Sequence, residues 1–364
     1  MLTQMTQPLP TTQPPATPPT PPNASMAGPA LLRELLSKEL LLVTGKGGVG
    51  KSTTAQVLAR RAAGQGKRVL LIELEAVSRA GPLFRAGPVG PQPREVAPGL
   101  WLAALETMDS LRYFAVQQLR IETLVNLALR NRAVEGFFQA VPAVKPMLFL
   151  YHVWRILEEH GPRGDRAWDL LICDMPTSGF VQGMYQIPMT LQQTFRSGPV
   201  HGYGKAMGDL LHDATRAGLV LVTLPEEMPV VETLELAAAL DKAHGVQPVA
   251  VVVNGVFPAA LDAGELAELA AAVQRPTPDA AAVEDALALE RLMGAEPVAD
   301  LRDLGAHLWA AELLLGRRVR AQGLLPKLNA AAKGRILELP FLFRRELPLA
   351  SIDQLASALG GGSL

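Results

Sequence analysis

A glycine-rich stretch near the start of the chain has the residue types and spacing of a phosphate-binding loop. Residues 44–54 read TGKGGVGKSTT, and residues 45–52 fit the pattern G-x-x-x-x-G-K-[ST]. Glycines at these positions let successive backbone N–H groups face phosphate oxygens, and the amino end of the following helix adds a positive dipole. We therefore expect Lys51 to contact the β- and γ-phosphates of ATP and Ser52 to ligate Mg²⁺. The residues expected to bind the nucleotide in this loop are Gly47, Gly48, Val49, Gly50, Lys51, Ser52 and Thr53.

The segments around this loop predict an α/β fold. Short runs that are nearly continuous in Leu, Val and Ile alternate with helical stretches, as expected for parallel strands that are covered on both faces. The loop itself lies between such a run and the helix former STTAQVLARRAA. We predict a doubly wound, mostly parallel sheet that is flanked by helices and joined by right-handed crossovers. The predicted strands lie at residues 39–44, 68–74, 169–174, 218–224, 248–254 and 335–340.

Two intervals between the predicted strands are too long for simple crossovers. Residues 105–160 and 180–217 both contain helix-like stretches, and together they predict an inserted helical subdomain beside the sheet. Residues 261–330 also read as mostly helical. At the amino terminus, residues 1–28 are rich in Pro, Thr and Gln and contain no charged residue, so we expect a disordered tail.

Charge and composition exclude several classes of function. The net charge of −1 gives no electrostatic reason to expect nucleic acid as a partner. The amino terminus lacks the pattern of a secretory signal, and the apolar runs are interrupted before about 18 residues, so no membrane insertion is expected. The single cysteine, Cys173, lies in an apolar run and reads as a buried, inert thiol. These features favour a cytoplasmic protein.

A second lysine, Lys46, gives the loop a more specific resemblance. GKGGVGKST is similar to the deviant Walker A motif of the MinD, ParA, nitrogenase iron protein and ArsA group. In that group the extra lysine reaches across a dimer interface to the nucleotide of the partner, where a cation stabilises charge on the transferred phosphoryl group. The resemblance therefore implies a catalytic role for Lys46 and a dimer that closes around ATP. The alternative is a solvated loop lysine.

Later motifs resemble the ArsA family of P-loop ATPases, which includes arsenite pump ATPases and ATPases that target tail-anchored proteins. DMPTSGF at 174–180 is similar to the switch II run D-x-x-P-T-G-H of this family. Further similar segments are RSGPV (196–200), LVTLPEEMPVVETLEL (221–236), VVNGVFP (252–258) and ELPFLFRRELPL (338–349). The resemblance covers about residues 38–358, which we take as one ATPase domain.

The same resemblance implies roles for residues outside the loop. Asp174 is expected to hold Mg²⁺ through water, although a strand-end acid can also be a plain surface residue. Asn254 matches the asparagine that contacts adenine in the family, but an Asn there is equally compatible with a simple turn. Pro340 and Phe341 are expected on the other side of the base pocket.

Switch I departs from the family pattern. The family has an Asp–Pro–Ala–His type run after the second strand, and its Asp positions the attacking water; here the strand continues into ELEAVSRAG. Glu75 occupies the matching place and can still accept a proton or orient water. Glu73 is a competing candidate on the same face of the strand, one step deeper. Without the Pro and His, hydrolysis is expected to be slow or to need a partner.

These features predict an ATPase that dimerises on ATP and Mg²⁺, as a homodimer or as a heterodimer with a related ATPase, and passes hydrolysis to a hydrophobic client or a membrane-protein segment. The alternative is a nucleotide-gated scaffold or regulatory subunit with little turnover. One cysteine is too few for metalloid capture or a shared iron–sulfur cluster, and the carboxyl-terminal SIDQLASALGGGSL lacks the basic residues of a membrane-binding helix. Methionine and phenylalanine side chains in the helical intervals fit either a client groove or, the reading we favour, the core. They are Met147, Met175, Met184, Met189, Met207, Phe137, Phe138, Phe149 and Phe180.

Overall fold

The computed structural model describes residues 27–75, 77–119, 143–161, 164–176, 178–257, 316–317, 320–321, 323–342 and 347–359. In these ranges one eight-stranded sheet has the order β3-β4-β2-β5-β1-β6-β7-β8. Every neighbouring pair is parallel except β3 and β4, which are antiparallel. The strands are β1 (Leu40–Gly45), β2 (Val69–Glu73), β3 (Arg94–Ala97), β4 (Leu100–Ala104), β5 (Leu170–Asp174), β6 (Ala217–Thr223), β7 (Ala250–Val256) and β8 (Ile336–Pro340).

Helices cover both faces of the sheet. They are α1 (Ala27–Leu36), α2 (Lys51–Ala63), α3 (Ala80–Leu83), α4 (Thr107–Leu119), α5 (Val144–Leu157), α6 (Ser178–Thr194), α7 (Pro199–His212), α8 (Glu227–His244) and α9 (Leu349–Ala358). Residues 323–331 are also helical.

The alternating side chains of the strands build two cores. On one face Leu41 and Val43 of β1 pack with α1, α2 and α9. On the other face Leu40 and Leu42 pack with α5, α6, α7 and α8. Because both faces are covered, every residue of β1 is buried, which explains why its sequence is apolar without alternation.

The predicted fold class is confirmed, and each of the six predicted apolar runs overlaps a strand. The hairpin of β3 and β4 was missed. Its strands are only 4 and 5 residues long, and they flank the dipeptide Pro98–Gly99, where Gly99 has a φ of 73°. A Pro–Gly pair directly before the apolar run of β4 is a turn signal that could have revealed this edge of the sheet.

The predicted helical subdomain stays a prediction. Helices α4 to α7 lie in its two intervals, and α5, α6 and α7 share a core with the sheet, but residues 120–142 lie outside the described residues. Residues 1–26 of the predicted tail and most of the interval 261–330 lie outside them too. Helix α1 begins at Ala27, so it includes the last two residues of the range 1–28 that was predicted as a tail. In the described ranges no helix is long and apolar enough to cross a membrane.

Candidate functional site

The phosphate-binding loop leaves the centre of the sheet at the carboxyl end of β1. Gly48 and Gly50 have φ angles of 82° and 91°, which a residue with a side chain rarely adopts. Gly45 has no room for a side chain, because a Cβ there would lie 2.3 Å from the carbonyl oxygen of Val222 on β6. Helix α2 begins directly after the loop, at Lys51. The local sequence therefore folds as the pattern predicts: strand, glycine turn and helix amino terminus.

Ser52 and Asp174 lie together beside this loop. The Ser52 hydroxyl donates a hydrogen bond of 2.5 Å to Oδ2 of Asp174, because β5, which ends at Asp174, is the neighbour of β1. The pKa of the Asp174 carboxyl is raised to about 6, chiefly by burial and also by nearby Glu73, while the Ser52 hydrogen bond, Lys51 and Arg79 oppose the shift. A hydroxyl and a carboxylate are hard oxygen donors of the kind that Mg²⁺ prefers, with water and phosphate oxygens completing its coordination. The pair thus fits the metal that the sequence predicts.

The side chain of Lys51 contacts the backbone of its own loop. Its Nζ donates a hydrogen bond of 3.0 Å to the carbonyl oxygen of Lys46. Partial burial lowers the pKa of the Lys51 ammonium, and Asp174 acts against that shift. A loop that folds around a lysine in this way is organised to receive anionic oxygens, because the ammonium needs only to exchange a carbonyl for a phosphate.

Lys46, the second lysine, lies at the surface in an ion pair of its own chain. Its Nζ is 2.6 Å from Oε1 of Glu232, in the second turn of α8, and the two side chains are 57% and 27% exposed. No sequence pattern pairs these residues, which are separated by 186 positions. The only hint was that Glu232 belongs to the segment LVTLPEEMPVVETLEL that resembles the family.

The two switch I glutamates occupy different environments. Glu75 is partly exposed and pairs with Arg79 at 2.6 Å. Glu73 is buried; its carboxylate accepts hydrogen bonds from the Ser78 hydroxyl and, at 3.3 Å, from the Ala80 backbone N–H. Burial raises the pKa of the Glu73 carboxyl, and these hydrogen bonds lower it in part. Glu75 is therefore the one of the two glutamates whose carboxylate is accessible to solvent.

The residues predicted to hold the base lie on the other side of the loop. Nδ2 of Asn254 donates a hydrogen bond of 3.0 Å to the carbonyl oxygen of Val49, so β7 is tied to the loop. Pro340, the last residue of β8, is in register with Val256 of β7. The Phe341 ring is tilted against the Phe257 ring, with centroids 4.7 Å apart. Sequence reasoning missed Phe257, although a phenylalanine directly after the Asn254 strand was visible.

The predicted site residues thus lie near the carboxyl ends of the strands, in two linked groups and two separate ion pairs. The loop, Ser52 and Asp174 form the first, and Asn254 links the loop to the second, which contains Pro340 and Phe341. Lys46 and Glu75 are turned into surface ion pairs. Their chemical roles stay predictions. Among the described ranges no group of three or more His, Cys, Asp or Glu side chains is placed to hold a metal ion.

Comparison with known proteins gives the chain a family. The model of the anion-transporting ATPases of the ArsA type matches residues 38–198. ATPase BagA of Mycobacterium tuberculosis is 30% identical over 241 residues, which cover 64% of this chain and 69% of that protein. A putative ATPase of Mycobacterium bovis matches to the same extent. The chain belongs to the ArsA family of ATPases.

The match to the ArsA family includes the part of the site that would do the chemistry. Residues 38–198 contain the phosphate loop, Glu75 and Asp174, whereas Asn254 and Phe341 lie beyond that range. A putative arsenical pump-driving ATPase of Halobacterium salinarum is 26% identical over 251 residues, which cover 63% of this chain and 38% of that protein. Within this ArsA-family chain Cys173 is fully buried in β5, as expected, and burial raises the pKa of its thiol far above the usual range.

Proposed function

We propose that this ArsA-family chain hydrolyses ATP with Mg²⁺ as a dimer and couples that cycle to a client or partner protein. The observation that carries the proposal is the 2.5 Å hydrogen bond between Ser52 and Asp174 beside a loop whose Lys51 faces inward. A structural glycine turn needs neither the partly buried carboxylate nor the hydroxyl at that place. Together they supply anion-binding and cation-binding groups within one loop, as a metal–triphosphate complex requires.

The residues divide the chemistry in the following way. The backbone N–H groups of the loop and Lys51 bind the phosphate oxygens, and Ser52 and Asp174 hold Mg²⁺, which when bound offsets the charge on the β- and γ-phosphates. Glu75 orients the attacking water and accepts its proton. To do so it must leave Arg79, an exposed ion pair worth about 1 kcal/mol or less, so the nucleotide complex can break it.

The position of Lys46 and the surface around it support the proposed dimer. The Lys46 ammonium pairs with Glu232 of α8 and is 57% exposed, so a nucleotide held by a facing chain can reach it by breaking that surface ion pair. Exposed apolar side chains border the same edge of the sheet: Val77 beyond β2 is 55% exposed, and Met228 and Val231 on α8 are 65% and 42% exposed. Apolar side chains beside a charged cation favour burial against a second subunit. That subunit is a second copy or a related ATPase.

For the client we propose the outer surface of α6. Four candidate groove residues, Phe149, Met175, Met184 and Met207, are core residues in the structure, which is the reading that the sequence favoured. Met189 and, just beyond the helix, Phe195 are 44% and 45% exposed. Of the remaining candidates, Phe137 and Phe138 lie outside the described residues. Exposed Met and Phe side chains suit apolar segments of varied sequence.

Phosphate release from ATP, measured with the purified chain and Mg²⁺, tests the proposed activity. We expect turnover that depends on Mg²⁺ and is lost in Lys51→Ala, because that change removes the main cation from the phosphates. Glu75→Gln should retain nucleotide binding and reduce turnover at least about 100-fold, the range of a lost general base. Wild-type turnover no greater than that of Lys51→Ala would contradict the proposal.

A second candidate function is a nucleotide-gated scaffold with little hydrolysis. It is favoured by the pairing of Glu75 with Arg79, which keeps the only switch I carboxylate near solvent away from the loop. Tight ATP binding without phosphate release, in the presence of Mg²⁺ and every partner tried, would support the scaffold and exclude the enzyme.

A further inference from the structure

Glu73 has a feature that neither ATP binding nor water activation requires of it: a buried carboxylate whose partners all lie on one short segment. The side chain is 3% exposed at the end of β2. Its oxygens accept hydrogen bonds from the Ser78 hydroxyl and from the Ala80 backbone N–H. A buried carboxylate is costly unless it is hydrogen-bonded. The contact therefore stabilises Glu73 in its buried position and, at the same time, holds the segment Ser78–Ala80 against β2.

Ser78 extends the contact into the next turn. Its hydroxyl oxygen accepts a hydrogen bond of 3.0 Å from the backbone N–H of Gly81, and its own N–H donates one of 3.0 Å to the carbonyl oxygen of Val89. The connection between β2 and α3 is therefore fixed at its start by Glu73 and at its end by Ser78. Glu75 lies between these two fixed points.

Glu73 lies directly beside Asp174, the carboxylate that we propose binds Mg²⁺. Glu73 and Asp174 are partners across the parallel pair β2–β5, and Asp174 in turn accepts the Ser52 hydroxyl. A shift at the end of β2 would therefore move the Glu75 segment relative to the loop. Errors of about 1 Å in such a position cost catalysis heavily.

We propose that Glu73 is a positioning residue for the proposed hydrolysis: by binding Ser78 and Ala80 it sets where the Glu75 segment lies relative to the phosphate loop. The proposal rests on the proposed ATPase function for its kinetic consequence, but not for its structural one. Glu73 does not touch the substrate. It acts through the hydrogen-bonded segment, and the length of its side chain matters more than its charge.

Variants of Glu73 and Ser78 separate the effect of the hydrogen bonds from the effect of the charge. Glu73→Ala removes the hydrogen bonds and the charge. Glu73→Gln removes only the charge, because it keeps an oxygen that accepts the Ala80 N–H and an amide that can bond to the Ser78 hydroxyl. Ser78→Ala breaks the contact from the other side and leaves the carboxylate in place. Glu106→Ala, an exposed glutamate just beyond β4, is the matched control.

Steady-state kinetics provide the first readout. With Glu73→Ala we expect kcat to fall at least about tenfold while KM for ATP changes less than about threefold, because the loop that binds ATP is intact. Glu73→Gln should recover most of kcat, and Ser78→Ala should lose part of it. If Glu73→Ala keeps wild-type kcat, or if Glu73→Gln is as impaired as Glu73→Ala, the positioning role is wrong.

Limited trypsin cleavage after Arg79, followed by mass spectrometry without nucleotide, provides a second readout that does not depend on hydrolysis. Glu73→Ala and Ser78→Ala should speed this cleavage at least about fivefold by opening the segment, with Glu73→Gln and Glu106→Ala near wild type. Unchanged cleavage in both opening variants would overturn the proposal even if the chain hydrolyses ATP. Faster cleavage in a chain without turnover would instead count only against the proposed function.

Discussion

Nζ of Lys46 lies 2.6 Å from Oε1 of Glu232, so the lysine that the resemblance assigns to the partner's nucleotide is paired with a carboxylate of its own subunit. Both side chains are partly exposed, and an exposed pair of this kind is worth at most about 1 kcal/mol. The pair is therefore strong enough to bias the position of the lysine and weak enough for a triphosphate to break. In the proposed dimer, Glu232 competes with the nucleotide of the facing subunit for the Lys46 ammonium.

Removing this competitor should favour the dimer. We expect Glu232→Gln to strengthen ATP-dependent dimerisation between about two- and fivefold, the factor that corresponds to an exposed ion pair. Sedimentation across a protein concentration series with ATP and Mg²⁺ measures the dimer dissociation constant. Glu235→Gln, an exposed neighbour on α8, controls for the loss of one negative charge. Weaker dimerisation of Glu232→Gln would show that Glu232 helps the assembly instead of opposing it.

The ionised form of Asp174, which metal binding requires, is expected to lower the stability of the fold. The pKa of its carboxyl is raised to about 6 from 3.8, so the fold favours the protonated form, and ionisation costs stability as the pH rises from about 4 through 6. Asp174→Asn should therefore raise the free energy of unfolding at pH 7.5, by up to about 3 kcal/mol, and by roughly half as much at pH 5. Urea denaturation without nucleotide measures both values.

The same substitution should remove most Mg²⁺-dependent turnover, since the amide carries no charge for the metal. In the wild type, turnover should fall as the pH drops below about 6, because the protonated carboxyl is a poor ligand. A variant that is less stable at pH 7.5 than the wild type would contradict the assigned cause of the shift, which is burial.

Gly50 is expected to be much less replaceable than its loop neighbour Gly47. Its φ of 91° is strained for any side chain, and a Cβ there would lie 2.1 Å from Nδ2 of Asn254, which would break the hydrogen bond to Val49. Gly50→Ala should lower the free energy of unfolding by more than about 1 kcal/mol and weaken ATP binding. Gly47→Ala, where a Cβ meets nothing within 4 Å, should leave stability without nucleotide within about 0.5 kcal/mol of wild type. Equal effects of the two changes on unfolding would refute this assignment.

Local patterns predicted most of the sheet and the whole of the phosphate loop. The buried strands are apolar on both faces, so their composition alone marks them, and the loop is contiguous in sequence. The hairpin of β3 and β4 was missed because β3 lies at the edge of the sheet, where its exposed Arg94 and Glu95 resemble loop residues.

Local sequence patterns could not predict contacts between residues that only the folded chain brings together. The strand period placed Glu73 and Glu75 on one face, yet only the return of Ser78 and Ala80 against β2 separates a buried carboxylate from an exposed one. The pairing of Lys46 with Glu232 likewise needs α8 to be placed beside the loop, and no local pattern gives that arrangement.

Complementation between two inactive variants tests most directly whether Lys46 acts on the nucleotide of the other subunit. Lys51→Ala should not bind ATP, and Lys46→Ala should bind it but lack the partner's lysine, so each alone should release little phosphate. In a mixture, the nucleotide held by a Lys46→Ala chain can receive Lys46 from a Lys51→Ala chain. We predict that phosphate release by the mixture clearly exceeds the sum of the separate rates; release equal to that sum, with mixed dimers verified by a tagged subunit, would contradict action across the interface.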